Sequence, residues 1–124
     1  MKTILVVDDD PSMRWLLNHL LRDKYKVITK NNGFDAFSWL SSQNIPNLII
    51  SDVKMPTMDG FEFVEHLNTD SLYKNIPVIM LTGFNEAVTL KRCHDLGASY
   101  LVKPFKPNDL LDKIGSVFVS KMFY

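Results

Sequence analysis

Five short apolar runs, each followed by a segment with helical spacing, constrain this chain more than any other feature. The runs are TILVV (3–7), YKVIT (25–29), NLIIS (47–51), PVIML (77–81) and SYLV (99–102). Their length, apolarity and β-branched content identify them as buried strands. After the first, Pro11 stands where a helix can begin, and Met13, Leu16, Leu17, Leu20 and Leu21 follow at i, i+3, i+4, i+7 and i+8. GFDAFSWL (33–40), FEFVEHL (61–67), EAVTLKRCHDLG (86–97) and PNDLLDKIGSVFVSK (107–121) supply four more helices. Gly97 is a helix stop, and Pro107 is tolerated in a first turn. Apolar strands alternating with amphipathic helices require a parallel sheet covered on both faces. The expected fold is α/β: one doubly wound (βα)5 domain over residues 1–124, without linker or internal repeat.

In open parallel sheets, ligands bind beyond the carboxyl ends of the strands. The polar residues of this chain collect there. Strand 1 ends in Asp8, Asp9 and Asp10, strand 3 in Asp52, strand 4 in Thr82 and strand 5 in Lys103. If strands 1, 3, 4 and 5 are neighbours, these side chains meet in one cleft. Clustered carboxylates repel one another and need a counter-charge. Several carboxylates, a hydroxyl and an ammonium together suit a hard divalent cation and a phosphoryl group. Mg²⁺ takes oxygen ligands, a lysine neutralises a phosphoryl oxygen as a point charge, and an aspartate carboxylate can be the nucleophile.

The remaining composition narrows the function further. Fourteen basic residues balance fourteen acidic ones, which argues against nucleic acid or anionic lipid held by bulk attraction. A single cysteine, Cys93, excludes an internal disulfide and a cysteine metal site. No apolar run approaches the roughly 20 residues that span a bilayer. Asp8 interrupts the first apolar run before it could serve as a signal peptide. A cytoplasmic location is expected.

The constellation resembles the receiver domain of two-component response regulators. VVDD is similar to that family's acidic pair, SDVKMPTMDG to its phosphoacceptor segment, MLTG to its hydroxyl strand end and YLVKPF to its lysine-proline motif. The likeness runs over essentially the whole chain, in order and at the family's spacing. It implies a flavodoxin-like sheet in strand order 2-1-3-4-5. It further implies that Asp52 accepts a phosphoryl group from a histidine kinase or phosphotransfer protein and becomes an aspartyl phosphate. Asp8 and Asp9 would hold Mg²⁺ together with the Asp52 carboxylate and the Lys54 carbonyl. Thr82 and Lys103 would bind phosphoryl oxygens, and Tyr100 would be the switch aromatic that follows Thr82. The implied output is an altered helix 4–strand 5–helix 5 surface, read by a downstream protein or domain, in a monomer or a phosphorylation-dependent dimer.

Other residues carry plainer expectations. Asp10 belongs near the start of helix 1, where a carboxylate favours the helix dipole. Asp59 reads as a turn and helix cap, with Gly60 in the same turn, and Met55 and Pro56 shape their loop. The resemblance allows a cis peptide at Lys103-Pro104. His19, His66 and His94 show no ligand spacing, and Cys93 reads as a small core residue. Phe118, Met122, Phe123 and Tyr124 form an apolar tail that either packs on the domain or meets a partner. Lys54 and Phe84 occupy positions that tune phosphoryl lifetime in the family, and their bulk could obstruct a hydrolytic water. A different class also opens with two aspartates one residue apart after a first strand: phosphohydrolases of the haloacid-dehalogenase type, to which Asp8 and Asp10 would correspond. A scaffold without phosphoryl chemistry is a third reading, against which the complete acidic pair, Asp52, Thr82 and Lys103 argue.

Overall fold

A computed structural model describes residues 1–83 and 85–123, with side chains through Ser120. Phe84 and the tail side chains of Met122, Phe123 and Tyr124 lie outside the described residues. The strands are β1 (Thr3–Val7), β2 (Lys26–Lys30), β3 (Leu48–Asp52), β4 (Val78–Thr82) and β5 (Ser99–Val102). They alternate with α1 (Pro11–Leu21), α2 (Gly33–Ser41), α3 (Gly60–Asn68), α4 (Ala87–Asp95) and α5 (Pro107–Phe123). All pairings are parallel, in the order β2-β1-β3-β4-β5. This is the flavodoxin-like arrangement. Among the described residues, no helix is long and apolar enough to cross a membrane.

Three strands sit one residue later than their apolar runs suggest. The reason is how the first residue of each run spends its backbone groups. The Tyr25 N–H closes the end of α1 on the Leu21 carbonyl at 2.9 Å. Asn47 clasps Thr3 reciprocally, its side chain accepting from the Thr3 N–H and its own N–H donating to the Thr3 carbonyl. Pro77 has no N–H to give. The shift places Asp52 and Thr82 within their strands as last residues, so both share the rigidity of the sheet.

Strand side chains alternate between two cores. Ile4, Val6, Leu48, Ile50, Ile79 and Leu81 pack against α1 and α5 through Leu17, Leu21, Leu110 and Ile114. Leu5, Val7, Ile49 and Met80 pack on the opposite face against Ala36, Leu40, Phe63, Leu67 and Cys93 of α2, α3 and α4. Every residue of β3 and β4 is buried, as expected of central parallel strands. Cys93 is a core residue, and burial pushes its thiol up. Phe118 packs on the α1–α5 core beside Tyr25. The three histidines lie on the surface.

The helix ends follow local chemistry. Asp59 and Glu62 form a reciprocal capping box at the start of α3. Leu96 caps α4, and Gly97 follows at φ +75°. The Ala98 N–H then reaches the Cys93 carbonyl and the Gly97 N–H the His94 carbonyl, each at 2.9 Å, closing a Schellman motif. Gly60 does more than serve a turn. A Cβ there would strike the Asp52 carbonyl and press on Met80 and Val53. Only glycine lets α3 begin this close to the end of β3.

Candidate functional site

The parallel sheet brings the carboxyl ends of β1, β3, β4 and β5 together, and the expected residues meet there. One carboxylate oxygen from each of Asp8, Asp9 and Asp52 lies within 4.8 Å of the others. Lys103 reaches over from the end of β5, its Nζ 3.0 Å from Asp52 Oδ1 and 3.9 Å from Asp8 Oδ2. Thr82 is fully buried at the end of β4, and its carbonyl accepts from the Lys103 N–H at 2.7 Å. The Lys103-Pro104 peptide is cis. Tyr100 lies on β5 three residues before Lys103, paired with Met80; the residue is 37% exposed, and the Lys113 ammonium stands 6.0 Å from its ring centre.

The three consecutive aspartates have three different fates. Asp8 is wholly buried, and its Oδ1 accepts the Asp10 N–H at 2.9 Å. Its Oδ2 is buried with no hydrogen bond. Burial pushes the Asp8 carboxyl up to about 6, a rise that the Asp10 N–H opposes, Asp52 reinforces, Lys103 opposes and Asp9 reinforces. Asp9 is exposed and belongs to the carboxylate cluster. Asp10 turns away: it is the N-cap of α1, its side chain accepting the Ser12 N–H at 2.9 Å. The Asp8/Asp10 pair that a dehalogenase-type hydrolase would use is therefore not assembled.

The loop between Asp52 and α3 is tightly wound. The Met58 N–H bonds the Pro56 carbonyl at 2.8 Å across Thr57, which sits at φ +73°. That is a γ-turn, a conformation strained for a β-branched residue. Met55 and Met58 bury their side chains beneath the loop while Lys54 stays exposed.

Three carboxylates face one ammonium, so the cluster carries excess negative charge in a partly desolvated cleft. An oxygen-only donor set with one orphaned buried oxygen suits a hard divalent cation, and a cysteine or histidine ligand is not among it. The residues fit such an ion. One contributor escaped the sequence reading: Arg14, whose Nη1 donates to the Asp8 carbonyl at 2.8 Å. Its only sequence signal is its position four residues after the helix cap Asp10, one turn along α1.

Comparison with known proteins agrees with this geometry. The family model for the response regulator receiver domain matches residues 4–115. The two-component response regulator ORR3 of Oryza sativa subsp. indica is 35% identical over 109 residues, covering 86% of this chain and 83% of that protein. The probable transcriptional regulator ycf27 of Porphyra purpurea is 39% identical over 116 residues, which make up 92% of this chain but 46% of that protein. Among solved structures, the chemotaxis response regulator CheY4 of Vibrio cholerae superposes with a TM-score of 0.87 at 39% identity, covering 94% of this chain and 98% of that one. A shared fold, a shared sequence and the acidic cleft at the strand ends lead to one conclusion: the chain belongs to the response regulator receiver domain family.

Proposed function

We propose that the chain is a phosphorylation-controlled signalling module that takes a phosphoryl group onto Asp52 from the phosphohistidine of a histidine kinase or phosphotransfer protein. The observation that carries this reading is the Lys103 ammonium, 3.0 Å from Asp52 and 3.9 Å from Asp8 at the mouth of a three-carboxylate cluster. An Asp52 oxygen attacks phosphorus, the P–N bond of the donor breaks, and the imidazole leaves with the electron pair. Lys103 neutralises a phosphoryl oxygen during the transfer, and the buried Thr82 hydroxyl donates to another. Asp8, Asp9, Asp52 and the Lys54 carbonyl would hold Mg²⁺, which when bound offsets the charge that builds on the phosphoryl oxygens. The module turns over no metabolite; it catalyses only the making and breaking of its own acyl phosphate. Its output partner is a downstream protein or domain, with no direct contact to nucleic acid. Incubation with acetyl phosphate and Mg²⁺ tests the reading: one acid-stable, base-labile phosphoryl adduct is expected, and a chain that stays unmodified would overturn it.

Metal affinity should depend on Asp9 far more than on Asp10. Asp9 belongs to the carboxylate cluster, whereas Asp10 spends its side chain on the α1 cap. Losing a direct ligand removes a bond, while losing Asp10 removes only screened charge. In Mg²⁺ titrations, Asp9→Ala should weaken binding by at least about tenfold and Asp10→Ala by only a few-fold. Equal losses would show that the ligand pair is misassigned.

The proposed switch joins Thr82 to Tyr100. Phosphorylation adds roughly −1.5 to −2 charge beside Thr82, enough to draw its hydroxyl towards Asp52. That movement vacates space beside β5 for an inward turn of the Tyr100 ring, which now lies outward near Lys113. Burying the phenol unpaired would cost about 1–3 kcal/mol, so the ring stays out until the space exists. Thr82→Ala should still be phosphorylated yet show little of the NMR shift that beryllofluoride induces at Tyr100 and along α4, β5 and α5. Parent-like shifts in that variant would sever the coupling.

A further inference from the structure

We infer that Arg14 is a positioning residue for the acidic turn, a strap that fixes where Asp8 and Asp9 present their carboxylates. The inference rests on the phosphoacceptor reading of the site and assigns a new part to a residue outside the carboxylate cluster. Arg14 grips the turn at both ends. Its side chain donates from Nη1 to the Asp8 carbonyl at 2.8 Å, and its backbone N–H donates to the Asp10 carbonyl at 3.1 Å. Asp9 lies between those two anchor points.

The grip matters because of how the remaining polar atoms of Asp8 are used. Its N–H donates to the Lys30 carbonyl of β2 at 3.1 Å, and its Oδ1 accepts the Asp10 N–H at 2.9 Å. With Arg14 on the carbonyl, every polar atom of Asp8 is bonded except Oδ2, which stands 3.9 Å from Lys103 Nζ. Arg14 is the one side chain in this set of restraints; the others are backbone. Without it the Asp8 carbonyl, at a part-buried position, would lose its partner. The peptide joining Asp8 to Asp9 would then be free to rotate about the end of β1. A rotation there swings Asp9, whose exposed carboxylate relies on its backbone for direction. Partners one step removed from a metal ligand commonly change affinity by 10–100-fold when lost.

Charge and positioning predict opposite signs, which makes the inference testable. Arg14 is a cation close to a proposed cation site, so deleting it for charge reasons alone should tighten Mg²⁺ binding. Deleting a strap should weaken it. The experiment is calorimetric and NMR titration of the full chain with MgCl₂, for the parent, Arg14→Lys, Arg14→Ala and Leu20→Ala. Leu20→Ala loosens the half-buried side of the same helix and controls for lost stability. The expected order of affinity is parent, then Arg14→Lys, then Arg14→Ala at about tenfold weaker, with Leu20→Ala within about twofold of the parent. In the metal-free protein, the Asp9 and Asp10 amide signals should shift or broaden in Arg14→Ala. Arg14→Ala binding as tightly as Arg14→Lys or the parent would overturn the inference, as would an equal loss in Leu20→Ala. A parent chain that binds no Mg²⁺ would instead overturn the phosphoacceptor reading, and this inference with it.

Discussion

Asp52→Asn should reduce acetyl-phosphate labelling to background while leaving the fold intact. Asp52 is the last residue of a fully buried central strand, and its carboxylate is the one held 3.0 Å from the Lys103 ammonium. An amide is no nucleophile, so the O–P bond has no atom from which to form. The neighbouring aspartates are poor substitutes for opposite reasons. Asp8 has one oxygen bonded to the Asp10 N–H and the other shut in the interior, whereas Asp9 is exposed. The amide oxygen of Asn can still accept from Lys103, so the cleft should keep its shape and the variant its thermal transition. Borohydride reduction followed by peptide mapping locates the parent adduct. Undiminished labelling of Asp52→Asn would refute the assignment, and label recovered on Asp8 would favour the dehalogenase-type chemistry instead.

The second large effect is on stability. Asp8→Asn should make the metal-free protein more stable at pH 7.5. Burial raises the folded-state pKa of Asp8 from 3.8 to about 6, so the native protein holds this proton more tightly than the unfolded chain does. The resulting penalty is absent below the unfolded value, grows as pH rises through the interval, and is complete above about 6. At 1.36 kcal/mol per pKa unit, a rise of this size corresponds to about 2–3 kcal/mol at neutral pH. Asparagine keeps the oxygen that accepts from Asp10 and removes the buried charge. Melting curves in EDTA should show a gain of several degrees at pH 7.5, narrowing towards pH 4.5. Saturating Mg²⁺ should reverse the ranking, because only the parent gains the full stabilisation of binding. A destabilised Asp8→Asn in EDTA at pH 7.5 would mean that Lys103 compensates the buried charge in full.

The alternation of apolar runs with helical periodicities by itself determined a parallel α/β sheet, since no other arrangement buries such strands on both faces. Parallelism then placed Asp8, Asp9, Asp52, Thr82 and Lys103 at the same end of that sheet. The caps were equally legible: Asp10, Asp59 and Gly97 act through bonds to residues two to four positions away, a range that local sequence controls. Strand order is different. No local pattern states that β1 and β3 are neighbours, and here it came from the family resemblance of four motifs. Three further features were decided only by tertiary packing. The sequence does not separate Asp8 from Asp9 by burial, yet the packed turn sends Asp8 inward and leaves Asp9 exposed at the cluster. The raised pKa of Asp8 depends on the apolar layers that surround it, and a dielectric environment is not written in any short segment. Arg14 bonded to the Asp8 carbonyl, and Gly60 pressed against the Asp52 carbonyl, are contacts of atoms whose approach is set by how α1 and α3 settle on the sheet. The sequence states which groups are available at the strand ends; the packed structure sets their distances and their solvation, and those two quantities decide their chemistry.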